Sequence, residues 1–131
     1  MNPIETTRTF YQLFASGRIE EMLSRFVAPD AVLVNPLPAP VPFGGTYHGH
    51  AGFLAYAQQI FAGIQIELFE IDEIFAQEDR VTVLGREKSR SRQTGKHYDI
   101  SWAHVLTVRD GRVQHLREYN DDSAAMAAAF S

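Results

Sequence analysis

The sequence predicts an α+β domain in which helices come first and a strongly bent antiparallel sheet follows. Three observations carry that expectation. Apolar residues recur at helical spacing through the first half of the chain and in alternation through the second. The two patterns are segregated rather than interleaved, which separates an α+β order from a βαβ one. The alternation in residues 65–76 slips phase within one run: Ile66 and Leu68 share one face, Phe69 and Ile71 the other. Such a slip marks a bulge and a bend. With three N-terminal helices on its concave face, a sheet bent this way leaves a conical pocket.

At 131 residues the chain suits one domain with one core, and 45% apolar residues suffice to pack it. The first helix opens at Asn2, which can cap, with Pro3 at the first helical position and Glu5 completing a capping box. Ile4, Thr7, Tyr11 and Phe14 then share a face, and Ser16-Gly17 ends it. Ile19, Met22, Leu23 and Phe26 form the stripe of a second, short helix. Residues 28–36 read as a turn and a short strand closed by Pro36. A loop over 36–49 follows, held extended by prolines 36, 38, 40 and 42. Loops of that length are often rims or lids. The third helix is expected over about 51–62, with Phe53, Leu54, Ala57, Ile60 and Phe61 buried. Strands are expected over 65–76 and 79–92, then a turn at 93–96. Residues 97–119 read as two strands joined by Arg109-Asp110-Gly111, a strong hairpin signal. Asp121-Asp122-Ser123 caps an Ala-rich terminal helix, whose Met126 and Phe130 cover the sheet edge or the pocket end.

Composition excludes several function classes. The formal charge of −4 argues against a nucleic-acid partner, which needs a basic footprint. Without cysteine there is neither disulfide nor thiolate chemistry. No apolar run approaches a membrane span, and the first residues lack the pattern of a signal peptide, so a cytoplasmic location is the default expectation. The Gly-rich segment at 43–50 lacks the Lys-Ser/Thr of a phosphate loop. His48 and His50 stand two apart, but His97 and His115 lie on other elements, so no metal site is expected. Arg86, Lys88, Arg90 and Arg92 recur at period two, either a solvated strand face or a contact for an anionic substrate tail.

Residues 10–36 (FYQLFASGRIEEMLSRFVAPDAVLVNP), 45–53 (GTYHGHAGF) and 102–121 (WAHVLTVRDGRVQHLREYND) together resemble the SnoaL-like branch of the nuclear transport factor 2-like superfamily. Ketosteroid isomerase, limonene-epoxide hydrolase and polyketide cyclases share that fold. The resemblance implies a cone-shaped α+β barrel with a blind apolar pocket, usually a homodimer through the outer sheet face. It is weak for reaction, because one cone hosts many chemistries and non-enzymes too.

Strand parity nominates the site. Tyr98, Ile100, Trp102, His104, Leu106 and Val108 form the more apolar side of their strand and are expected inward. That puts Trp102 and His104 in the pocket. Glu118 lies on the returning strand beside Val113 and Leu116, and the hairpin can bring it next to His104. Polyketide cyclases that resemble this chain pair a histidine and an acid at these two places. A carboxylate desolvated in an apolar cone can take a proton at neutral pH. A neighbouring imidazole can stabilise an oxyanion or orient the acid. The alternatives are a core histidine bonded to a backbone carbonyl and an ordinary rim carboxylate.

The resemblance also implies what is lacking. Asn35 stands where ketosteroid isomerase has its catalytic aspartate, and an amide is no base. It can hydrogen-bond a ligand or water, or satisfy the turn before Pro36. By spacing from Gly17, Phe10 falls at the place of the isomerase's oxyanion-hole tyrosine; Tyr11 is one off and is expected only to line the pocket. Against limonene-epoxide hydrolase, Glu118 and Glu87 match the two acids, but the arginine's place holds Gly85. Glu87 is then a substrate contact or a solvated strand charge. Two functions follow. One is a cofactor-independent cyclase, isomerase or hydrolase acting on a small, largely apolar carbonyl compound, with Glu118 and His104 catalytic and Asn35, Trp102, Tyr11 and Glu87 binding substrate. The other is a non-catalytic ligand-binding or dimerising module whose pocket is narrow or filled by aromatic side chains.

Overall fold

The computed structural model describes residues 1–131. Helices α1 (Pro3–Ala15) and α2 (Ile19–Phe26) lead into strand β1 (Val27–Asn35). A short strand β2 (Gly45–His48) and helix α3 (Gly49–Gly63) follow. Strands β3 (Ile64–Gln77), β4 (Arg80–Ser91), β5 (His97–Arg109) and β6 (Arg112–Asn120) complete the sheet, and α4 (Ser123–Ala129) ends the chain. No helix is long and apolar enough to cross a membrane.

The sheet order is β2-β1-β6-β5-β4-β3, so β2 and β3 are free edges and the cone is curved but unclosed. All neighbours are antiparallel except β1 and β6, which run parallel. The expected single bend in β3 is two: its register against β4 shifts between Ile66 and Leu68 and again between Ile71 and Glu73. Each extra residue adds local twist and bends the strand. The β5–β6 hairpin turns through Asp110 and Gly111, at φ 53° and 71°. Two left-handed residues in succession match the twist of the flanking strands, the reason Asp-Gly suits this turn.

Asn2 caps α1 by accepting from the Glu5 backbone N–H at 2.8 Å, and its side-chain amide donates to the Glu5 carboxylate at 3.0 Å. The buried side of α1 is Thr6, Thr7, Phe10, Tyr11 and Leu13, rotated from the expected stripe, with Ile4 and Phe14 only half-buried. Two further expectations are corrected. The proline-rich loop contains β2, which pairs with β1 from Val32–His48 to Asn35–Gly45. In α3, Phe53, Ala57 and Ile60 are buried, whereas Leu54 and Phe61 are 36% and 40% exposed. That helix is apolar most of the way round, so its sequence does not reveal which stripe faces the sheet.

The main core joins α1 and α2 to the sheet through Phe10, Leu13, Met22, Phe26, Leu33 and Leu106. One close approach shapes the neighbourhood of the pocket. A Cβ on Gly85 would lie 2.2 Å from the Glu70 carbonyl oxygen and 2.3 Å from Trp102 Cζ2, so the indole occupies the space a side chain would fill.

Candidate functional site

A cavity of about 410 Å³ lies between the concave face of the sheet, α1 and α3. Thirteen of its 18 lining residues are hydrophobic, among them Phe10, Leu33, Phe53 and Leu116. Its open end is marked by exposed residues: Phe61, Gln65, Ile66 and Arg92. The polar groups inside are Tyr11, Tyr56, Glu87, His104 and Glu118.

His104 and Glu118 are directly opposed in the β5–β6 register. Their side chains point to the same face, and His104 Nε2 lies 2.8 Å from Glu118 Oε1. Both are deeply buried, 7% and 8% exposed. The other imidazole nitrogen, Nδ1, is 2.6 Å from the Tyr11 hydroxyl. With Glu118 ionised, Nε2 carries the proton and donates to Oε1, and Nδ1 accepts from Tyr11. The three side chains form a relay in which both histidine nitrogens are committed. Glu118 Oε2 has no protein partner and is the oxygen left for a ligand. Burial pushes the Tyr11 hydroxyl well above its ordinary pKa, and the Glu118 charge adds to the rise, so it remains a donor. Tyr11, expected to line the pocket, does so, and its hydroxyl reaches the histidine directly.

Glu87 also faces inward, where a solvated strand charge was one expectation. Its Oε2 accepts from Tyr98 at 2.6 Å and from Ser89 at 2.7 Å. Desolvation raises its carboxyl pKa, against the lowering effect of those two hydroxyls, and the Glu118 charge raises it further.

Two expected pocket residues stand back from the cavity. Trp102 is not part of the lining; it stacks on His104 with ring centres 4.2 Å apart and on Phe69 at 4.9 Å. It fixes the plane of the imidazole rather than forming the ligand's wall. Asn35 is 1% exposed and donates from Nδ2 to the Tyr56 hydroxyl at 3.3 Å. Asn35 thus touches the cavity lining at Tyr56 and is not itself part of it. The loop histidines diverge, since His50 Nε2 pairs with the Val27 carbonyl at 2.8 Å.

A family model described as a SnoaL-like domain matches residues 7–116. The chain belongs to the SnoaL-like domain family. Its fold is similar to that of an NTF2-like protein from Burkholderia xenovorans LB400, 29% identical, with a TM-score of 0.90 over 98% of this chain and 95% of that one. TerC, co-crystallised with polyporic acid, is 29% identical with a TM-score of 0.78, covering 98% and 97%. A protein of Catenulispora acidiphila DSM 44928 with a ketosteroid isomerase-like fold, in complex with trimethylamine, is 16% identical with a TM-score of 0.77 over 95% and 92%. At that identity the likeness is one of fold alone. No curated protein matches the chain.

In this SnoaL-like chain, sequence reasoning missed Tyr56 as a residue of the cavity; Arg92, read as a solvated strand charge or a contact for an anionic tail, lies in the lining. Tyr56 was within reach: it stands three after Phe53 and four before Ile60, on the buried stripe of α3. Because Asn35 donates to the Tyr56 oxygen, the Tyr56 proton is free for an acceptor in the cavity. Burial, first, and the Glu118 charge raise the Tyr56 pKa well above its ordinary value. The two tyrosines thus differ in direction: Tyr11 donates to the protein, Tyr56 to the cavity.

Proposed function

We propose that this SnoaL-like protein is an enzyme that moves protons on a small, largely apolar carbonyl compound, in a cyclase-, isomerase- or hydrolase-type reaction needing no redox cofactor. The carrying observation is the Tyr11–His104–Glu118 relay in an apolar cavity large enough for a small organic molecule. Glu118 Oε2 takes a proton from the carbon next to the carbonyl, or from a water. The Tyr56 hydroxyl donates to the oxygen on which charge develops. His104 holds Glu118 in place by donating from Nε2 to Oε1, which leaves Oε2 to take the proton. Trp102 and Asn35 are positioning residues, acting through His104 and Tyr56.

Support also comes from TerC, a relative crystallised with a small organic molecule. The non-catalytic reading needed a narrow pocket or one filled by Trp102 and the aromatic side chains of α3. The cavity of about 410 Å³, with Glu118 in its lining and Trp102 outside it, favours chemistry instead. The same reading takes the protein as a homodimer through the outer sheet face; light scattering that returns a monomer mass would refute that part.

The test is turnover of carbonyl compounds by the wild type, Glu118→Gln and His104→Ala. General acid–base groups contribute about 10²–10⁴ in rate, so Glu118→Gln is expected to lose two to four orders of magnitude. Unchanged turnover in both variants, for a substrate the wild type converts, overturns the reading.

A further inference from the structure

We propose that the ligand of this cavity is an organic acid, an apolar body whose anionic oxygens are gripped at the open end by Arg92. The proposal rests on the small-molecule reading of the cavity and names the chemistry of its occupant.

Arg92 is the one lysine or arginine in the lining. It is held at both ends of the residue. Its backbone N–H donates to the Gly63 carbonyl at 3.0 Å, and its Nε donates to the Phe61 carbonyl at 3.1 Å. Both acceptors are free carbonyls of the last turn of α3, which carries the negative end of the helix dipole. The guanidinium is thereby fixed, while Nη1 and Nη2 have no protein acceptor. Arg18, Arg25, Arg86 and Arg109 all pair with carboxylates; Arg92 pairs with none. A fork whose Nε is occupied still offers its two terminal nitrogens side by side, the geometry that takes a carboxylate through two parallel hydrogen bonds.

Gln65 does not add to this grip: its Oε1 accepts from Arg90 Nη2 at 2.7 Å, on the sheet face opposite the inward Ser89 and Ser91. The free group at this end of the cavity is therefore a cationic fork. An anion satisfies it in charge as well as in hydrogen bonds, whereas a neutral carbonyl satisfies only the hydrogen bonds.

The interior sets the orientation. Glu118 lies inside, a carboxylate on the proposed reading, and a second negative charge is repelled from it. Arg92 lies just past the end of β4 at the exposed end of the cavity, whereas Glu118 is buried on β6. The cavity of about 410 Å³ leaves room for an apolar body between an acidic head at the rim and the reacting carbonyl near Glu118.

A matched pair of probes separates recognition of charge from mere filling of the cavity: 4-phenylbutyrate and its neutral primary amide, titrated against backbone amide shifts of the folded chain. The wild type is expected to bind the acid about two- to five-fold more tightly than the amide, the range for a partly exposed ion pair. Arg92→Met is expected to abolish that ratio while the affinity for the amide holds. Arg92→Lys is expected to keep part of it. If Arg92 is only a cap for α3, the methionine variant loses thermal stability and binds both probes with an unchanged ratio, and the proposal is wrong. Equal wild-type affinity for acid and amide also overturns it, while leaving the cavity reading intact. If neither probe shifts the amides around Glu118 and Phe61, the cavity reading fails and takes this proposal with it.

Discussion

Replacing Tyr11 with phenylalanine removes one oxygen atom and tests the relay directly. The ring can stay where it is, edge-on to Phe10 with centres 5.3 Å apart and stacked on His104 at 5.7 Å. What disappears is the donor 2.6 Å from His104 Nδ1. Water cannot replace it easily, since His104 is 7% exposed and lies beneath the indole of Trp102. A buried acceptor left without a partner costs about 1–3 kcal/mol. The imidazole can escape by moving its proton to Nδ1, but Nε2 then turns a lone pair on the Glu118 carboxylate. Relief at one end creates repulsion at the other, so the cost stays near the middle of the range, about 1–2 kcal/mol. For a domain of this size that lowers the melting temperature by roughly 3–10 °C. Urea unfolding gives the free energy, and imidazole ¹⁵N shifts give the tautomer. The wild type is expected to carry its proton on Nε2. A wild-type proton on Nδ1 would invert the chain: Nε2 would accept, Glu118 would have to be the protonated partner, and it could not rest as a base. That result, or a Tyr11→Phe cost below about 0.5 kcal/mol, refutes the relay.

Two further predictions concern the other inward residues of β4. The Glu87 carboxyl is raised above its ordinary 4.5, mainly by burial, so the folded protein holds this proton more tightly than the unfolded chain. Stability from this group is full below about pH 4.5 and is lost as pH climbs through the raised value. Glu87→Gln keeps an oxygen for Tyr98 and Ser89, so urea midpoints across a pH series should show that decline in the wild type and less of it in the variant; equal slopes would contradict the burial argument. Gly85→Ala places a Cβ 2.2 Å from a backbone oxygen and 2.3 Å from the indole. Because one of those neighbours is backbone, the expected loss is at least about 1–3 kcal/mol, with altered emission from Trp102, the chain's single tryptophan; a variant with wild-type stability and emission would show that the indole can shift freely.

How far the site could be read from sequence depends on contrast between strand faces. In β5 the buried residues are Tyr98, Ile100, Trp102, His104, Leu106 and Val108, and the alternating Asp99 and Ser101 are exposed. That contrast fixed orientation, and the Asp-Gly turn brought Glu118 alongside. In the second half of β4 contrast vanishes. Arg86, Lys88 and Arg90 alternate with Glu87, Ser89 and Ser91, polar against polar. Only the tertiary fold shows that Ser89 and Ser91 are fully buried and that Glu87 turns inward with them. Strand β2 was hidden for a similar reason, being four residues long and exposed or half-buried throughout. Arg92 and Tyr11 were obscure because their roles depend on reach. One needs the end of α3 and the other needs β5 brought under α1, and neither distance is written in local spacing.

The two carboxylates acquire different chemistry from this arrangement. Glu118 accepts from an imidazole N–H on one oxygen and keeps the other free. Glu87 faces the hydroxyls of Tyr98 and Ser89, which stay neutral; burial and the Glu87 charge push the Tyr98 hydroxyl far above its ordinary pKa. Neutral donors in an apolar wall do not fully offset the cost of a buried charge. An ionised Glu118 also raises the proton affinity of Glu87. On the proposed reading, one cavity then presents the base Glu118 and a second acid, Glu87, that resists losing its proton. Such a division between two carboxyl groups is how a single apolar site supplies proton acceptor and proton donor together. The pH series on Glu87→Gln measures half of that division, and the His104 tautomer measures the other.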